Sequence, residues 1–314
     1  MSLPRYPEYK DSGVQWLGEV PAHWIVKRIR AVADLNPSKS ELAEWSRDTE
    51  VSFLPMEAIG DDGSLNLERV RPISEVETGY TYFRDGDVTV AKITPCFENG
   101  KGALMNGLRE GAGFGTTELI VIRPRADHVS SNYLNWIFRS RQFRQLGEAS
   151  MYGAGGQKRV PDEFVRNFAI AFPPPAEQTT IAAFLDRETA KIDALLAEQE
   201  KLIALLAEKR QATISHAVTK GLNPDAPMKD SGVAWLGEVP AHWKVARMKH
   251  IVHEGIAGPY GSSLTKAMYV ASGYRVYGQQ QVIPNDFSVG DYYISEDKFS
   301  EMTRYLVRPN DILV

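Results

Sequence analysis

At 314 residues, with 43% apolar and 24% charged side chains, the chain has the make-up of a folded protein of about two domains, which excludes a mainly disordered one. A single cysteine, Cys96, excludes a disulfide framework and a cysteine-based zinc site, and fits a reducing compartment. No apolar run approaches a membrane span, the start Met1–Tyr6 lacks the apolar stretch of a secretory leader, and a net charge of −4 carries no global signature of nucleic-acid binding.

Residues 1–175 read as a first module of α+β type. Val51–Leu54, Asp87–Ala91 and Glu118–Ile122 are short β-branched or apolar runs between Gly- and Asp-rich turns, the pattern of strands. Asn132 to Leu146 carries Leu134, Ile137, Phe138 and Phe143 at helical spacing, with Ser130 or Ser131 as N-cap. Pro173-Pro174-Pro175 predicts a stiff, polyproline-like hinge at the exit.

Residues 176–221 are of another kind. Between Glu177 and Lys220 there is neither proline nor glycine, and Gly221 suits a helix C-cap. Ile181, Leu185, Ile192, Leu195, Leu202 and Leu206 fall on a seam of threes and fours, widened by Phe184, Leu196 and Ile203. A helix of about 40 residues is about 60 Å long, and a stripe of that extent wants a partner helix.

Residues 222–314 begin by repeating the start of the chain. Lys10-Asp11-Ser12-Gly13-Val14-Gln15-Trp16-Leu17-Gly18-Glu19-Val20-Pro21-Ala22-His23-Trp24 returns as Lys229–Trp243 with only Gln15 changed, to Ala234. A weaker match pairs Tyr82–Val88 with Tyr305–Ile312. A period of roughly 220 residues is too long for a solenoid and means duplicated domains; with the second copy cut at Val314, the chain is either a fragment, which is the expectation, or carries a degenerate second module.

Enzymatic chemistry is thinly represented. There is no phosphate-binding Gly-x-x-x-x-Gly-Lys loop, no dinucleotide fingerprint and no His-Glu-x-x-His spacing. Two loops stand out instead. Lys92–Gly102 leaves a strand, turns at Pro95 and Asn99-Gly100, and presents Lys92, Thr94, Asn99 and Lys101; it is either a polar hairpin or a loop that grips phosphates and reaches base edges. Tyr152–Arg159, with Gly153-Ala154-Gly155-Gly156 before Lys158 and Arg159, is either a flexible loop or one whose backbone approaches a phosphate. Acids outnumber bases 11 to 4 between Asp34 and Glu77, whereas 12 Lys and Arg face 9 acids between Arg84 and Arg166, so a local basic face is expected in the later stretch.

The repeated opening motif resembles the start of target-recognition domains in specificity subunits of type I restriction–modification systems. So do Phe172-Pro173-Pro174-Pro175-Ala176-Glu177-Gln178, Ile181–Asp186, Ala190–Leu196, Gln199–Gln211 and Thr219–Leu222. The resemblance implies a first recognition domain (1–175), a long coiled-coil spacer helix (176–221) and the beginning of a second recognition domain (222–314). It implies a non-catalytic subunit in which each domain reads half of a bipartite site on double-stranded DNA and the spacer sets their separation, one heptad adding about 10 Å or roughly three base pairs. Implied partners are methyltransferase subunits and translocating, cleaving restriction subunits; S-adenosylmethionine and ATP with magnesium belong to these partners, and the chain itself holds no cofactor. A cytoplasmic location and no membrane contact are implied with them. The Asn-Pro-Pro-Phe/Tyr tetrapeptide of adenine methylation is absent from the sequence. Two further expectations are pairing of two chains through the helix and, as the competing class, a coiled-coil scaffold without DNA specificity.

Overall fold

The computed structural model describes residues 5–125, 127–154, 156–259 and 261–314, in two compact units, Met1–Leu205 and Leu206–Val314. The first unit holds two four-stranded sheets. One has the order Val70–Pro72, Glu50–Leu54, Ala112–Gly115, Thr81–Arg84; the other runs Ala33–Leu35, Leu119–Pro124, Val88–Ala91, Gly102–Leu104. All neighbours are antiparallel except Glu50–Leu54 with Ala112–Gly115. Val88–Ala91 is buried along its whole length, so its side chains pack on both faces, and burial rather than alternation gives this run its continuous β-branched character. All three strands read from the sequence are present.

The single helix expected over Asn132–Leu146 is instead two, Ser131–Arg139 and Arg141–Ser150. Ser130 caps the first by accepting from the Tyr133 N–H, as expected. Ser140 then leaves the helical conformation and caps the second by accepting from the Phe143 N–H at 3.3 Å, so a second N-cap breaks what apolar spacing alone had joined. The break swings Phe143 into a cluster with Phe97, Phe138, Phe164 and Phe168, the centre of the larger core. Gly147 lets the second helix pass Phe97: a Cβ there would lie 2.2 Å from the Phe97 ring.

The three prolines are not a free hinge. Pro173 is buried, Pro174 accepts from the Glu177 and Gln178 N–H groups, and Pro175 is the first residue of a helix running to Lys220, the helix position at which a missing N–H costs nothing. Its 46 residues make about 69 Å of helix. Its first turns are rooted in the first unit. Gln178, almost fully buried, accepts from the Ser130 N–H and donates to the His128 and Pro173 carbonyls. Trp136 donates to Asp186 at 2.8 Å, and Tyr6, His23 and Trp24 all bind the Glu177 carboxylate. Partial burial opposes the Glu177 charge, but the hydrogen bonds from Tyr6, His23 and Trp24 outweigh it and hold the carboxyl below its usual range; the Tyr6 hydroxyl is in turn pushed up to about 12. Ile181 packs on the core and Leu185 is half-buried, so these two are not free seam positions; Ile192, Leu195, Leu202 and Leu206 are exposed.

The second unit has short paired strands, Met228–Asp230 with Glu238–Pro240 and Tyr274–Arg275 with Tyr293–Ile294. The weaker sequence match is a shared turn. The Arg84 N–H donates to Asp87 Oδ2 at 2.9 Å and the Arg308 N–H to Asp311 Oδ2 at 2.8 Å, with Gly86 and Asn310 both at positive φ. Among the described residues after Gly221, the buried apolar side chains are Val239, Pro240, Ile294 and Met302. No helix of the described residues is long and apolar enough to cross a membrane, and none of their His, Cys, Asp and Glu groups could hold a metal ion.

Candidate nucleic-acid interface

The two loops singled out in the sequence, some 60 residues apart, lie against each other. The first continues the strand Val88–Ala91 and folds on itself: the Phe97 N–H donates to the Ile93 carbonyl, Asn99 to Pro95 and Lys101 to Cys96. Phe97, 1% exposed, nails its middle into the aromatic core. The second loop closes as a hairpin through reciprocal Tyr152–Arg159 backbone bonds of 3.1 and 2.9 Å. Between them the Thr94 N–H donates to the Lys158 carbonyl, the Lys158 N–H to Thr94 Oγ1, and the Thr94 hydroxyl to the Gly156 carbonyl at 2.6 Å. Gly153 is required where the hairpin pinches, since its φ is +129° and a Cβ would lie 2.6 Å from the Gln157 carbonyl.

This lacing decides which of the expected residues keep a free polar group. Thr94 spends its hydroxyl on the neighbouring loop. Lys101 is engaged elsewhere too: its ammonium donates to the Met56 and Ile59 carbonyls at 3.2 and 3.0 Å, which closes a turn and leaves one of its three protons free. Arg159 makes a two-pronged pair with Glu118 at 2.9 and 2.7 Å, and that bond holds the Glu118 carboxyl below its usual range. Asn99, Tyr152 and Lys158 are exposed, Tyr152 at 64%, and Lys92 is half-buried beside them. Tyr152 therefore stands outside the aromatic core that holds Tyr133 and Phe143.

The expected basic face is smaller than the residue count suggests, because the acidic stretch folds back on it. Arg84 and Arg123 share Glu41, Arg109 pairs with Glu50, Arg125 with Asp34, and Arg123 is clamped by buried Asp87 at 2.8 Å. Among the described residues of that later stretch, Lys92, Lys101, Arg139, Arg141, Arg144 and Lys158 make no close ion pair, although Lys92 lowers the pKa of Glu118 and Arg139 that of Asp62 through their charges. Arg139 and Arg144 flank the Ser140 break. The Arg144 guanidinium sits against Gly100 at the tip of the first loop, and Arg139 lies over the Trp136 ring at 4.7 Å. Sequence reading counted these arginines without singling them out; the signal that could have found them is Ser140, a second capping serine that turns their helices towards the loop.

Chemically, this is a pair of interlocked loops offering an amide, an exposed aromatic ring and cations, among them Lys158, which is exposed, and Arg144, whose guanidinium also donates to the Arg139 carbonyl at 3.0 Å. Such a set can grip phosphates and touch base edges, and it contains no nucleophile–base pair.

A family model described as the type I restriction modification DNA specificity domain matches residues 23–204. The EcoAI specificity subunit of a type I restriction enzyme from Escherichia coli is 41% identical over 194 residues, covering 61% of this chain and 32% of the relative. The EcoEI specificity subunit, from the same species, is 39% identical over 194 residues with the same coverage. The chain thus spans about a third of the length of the curated relatives it matches. A chain in a solved structure concerned with complex assembly and conformational transition of the type I R-M system is 19% identical, with a TM-score of 0.52 over 83% of this chain and 63% of that one, a likeness of fold.

Proposed function

The chain belongs to the type I restriction–modification DNA specificity family, and on that premise we propose that its first unit reads one half of a bipartite DNA target on behalf of methyltransferase and restriction subunits. The observation that carries the reading is the interlocking of the two loops through Thr94, Gly156 and Lys158, with Asn99, Tyr152 and Lys158 each exposed on them and Arg144 against the first loop's tip. Lys92, Arg139, Arg144 and Lys158 grip phosphates; Asn99 and Tyr152 face the bases. Thr94 and Arg159 hold the loops in register, and Lys101 holds the turn at Met56–Ile59. The long helix, rooted through Glu177 and Gln178, carries the spacing between half-sites and gives the methyltransferase subunits a rigid surface. Methyl transfer and ATP-driven steps belong to those partners, with their S-adenosylmethionine, ATP and magnesium, in the cytoplasm.

Co-expression with its modification subunit, followed by mapping of methylated adenines across the host genome, tests this. A bipartite motif that appears only with the chain present, and degrades in Tyr152→Ala and Asn99→Ala, is the expected result. Methylation without a motif, or a motif untouched by both variants, overturns it; the first outcome would favour a scaffold without DNA specificity.

A further inference from the structure

Arg159 sits where the two loops meet, and the way Glu118 holds it leaves one edge of its guanidinium unused. The pair is side-on: Nε donates to one carboxylate oxygen at 2.9 Å and Nη2 to the other at 2.7 Å. A guanidinium carries five N–H groups, so both Nη1 protons and the second Nη2 proton face away from the carboxylate. Among the described residues nothing accepts from Nη1, and that atom is not buried. The free edge is therefore the Nη1–Nη2 fork, whose two parallel N–H groups suit two acceptors side by side.

The backbone fixes where this fork stands. The reciprocal Tyr152–Arg159 bonds of 3.1 and 2.9 Å make these two a hydrogen-bonded antiparallel pair, so the exposed Tyr152 ring and the Arg159 side chain share one face of the hairpin. Glu118 is fixed as well. Its carbonyl accepts from the Lys92 N–H at 2.8 Å, and the Lys92 carbonyl accepts from the Val160 N–H at 2.8 Å, which ties it to the junction of both loops. The Arg159 side chain is 37% exposed, within reach of a ligand. Other paired arginines are not so placed. Arg123 is held on both edges, by Asp87 and Glu41. Arg125 has a side-on partner in Asp34, but beyond the Pro124 end of the strand Leu119–Pro124, whereas the loops leave from its Leu119 end, opposite Ala91.

We infer that Arg159 reads a guanine of the target, its Nη1–Nη2 fork donating to O6 and N7 in the major groove, and that Glu118 is the positioning residue that aims it. This rests on the DNA-reading proposal and names a base within it. Charge separates a base from a phosphate as the ligand. A phosphate is best gripped by an uncompensated cation, which Lys92 and Lys158 supply on the same loops. The Arg159 charge is already answered by Glu118, whose carboxylate also repels an approaching phosphate. What the pair keeps is direction: two N–H groups at fixed spacing, on a side chain ordered before DNA arrives. Guanine is the base that offers two neighbouring acceptors and no donor on its major-groove edge.

The test uses the complex of the full chain with its modification subunit and a duplex carrying the motif found by methylation mapping. Each guanine of the motif, on either strand, is replaced in turn by 7-deazaguanine, which loses the N7 acceptor and keeps Watson–Crick pairing. Affinity is expected to fall about fivefold at one guanine, a loss that disappears in Arg159→Lys, because lysine keeps the charge without the fork. In the methylation map, Arg159→Lys and Glu118→Gln should relax that single position and leave the rest of the motif intact, which general loosening of the hairpin would not do. A parent complex insensitive to every 7-deazaguanine overturns the inference and requires no variant to fold. So does an Arg159→Lys complex with the parent's sensitivity throughout. So does an Arg159→Ala complex that weakens evenly across sequences with a salt slope lower by about 0.9, the mark of a phosphate contact. Absence of any motif with the parent chain would overturn the DNA-reading proposal and this inference together, whereas a motif that withstands the substitutions overturns this inference alone.

Discussion

Lys101 and Lys158 are two lysines of the same interlocked loops whose removal should act through different physics. Lys158 is exposed, with its side chain unpaired among the described residues, whereas Lys101 gives two hydrogen bonds to the Met56 and Ile59 carbonyls. Lys158→Ala should leave folding unchanged and remove one phosphate contact, which lowers the slope of log Kobs against log salt on duplex DNA by about 0.9. Lys101→Ala leaves two carbonyls without a charged donor. Ile59 is fully buried and water reaches its carbonyl poorly, so the expected cost is about 1–3 kcal/mol in urea unfolding of the full chain. Its salt slope on a mixed-sequence duplex should equal that of the parent chain. The slope is the informative readout, because a constant inactive fraction shifts apparent affinity without changing it. Equal slope changes in the two variants, or a Lys101→Ala chain as stable as the parent, would refute the assignment.

Other predictions follow from the same contacts. Gly147→Ala gains about 1 kcal/mol of helix propensity, but its Cβ meets the Phe97 ring at 2.2 Å, and overpacking of about 1–3 kcal/mol should win; combining it with Phe97→Leu should cost less than the sum in a double-mutant cycle, and a simple stabilisation would contradict the packing. Gln178→Ala strips partners from the Ser130 N–H and the His128 and Pro173 carbonyls, so a loss of about 2–4 kcal/mol by denaturant titration is expected. Because Arg159 lowers the Glu118 pKa on folding, the pair contributes fully above the ordinary glutamate value of 4.5 and is lost as pH falls below that, through the depressed folded value. Amide exchange in residues 152–160, corrected for intrinsic rate, should therefore stay flat from neutral pH to about 4.5 and then rise, and Glu118→Gln should show the fast regime already at neutral pH.

The chain's local chemistry is enough to determine the repeated hairpin, the strands around Val51, Val88 and Leu119, and the long helix. Each is specified by neighbours within a few residues: an Asp and a Ser that bind the next backbone N–H groups, β-branched runs between turns, a stretch of 46 residues broken by no internal proline or glycine. The loops at 92–102 and 151–159 were legible for the same reason, as turn residues carrying polar groups. Which of those groups are free was decided only in three dimensions. The partners of Arg123, Arg125 and Lys101 lie 82, 91 and 42 residues away in sequence, and a charge is neutralised by what folds against it, not by what precedes it. The count of 12 bases against 9 acids thus overstated the cationic face. Ser140 shows the opposite case, a local signal hidden by a stronger one: apolar spacing joined the two helices, while the capping serine that separates them also brings Arg139 and Arg144 to the loops. The repeat itself was plain in the sequence, but cover for a hairpin is supplied by distant chain, and only tertiary structure shows that Trp16 of the first copy is stacked on Phe168.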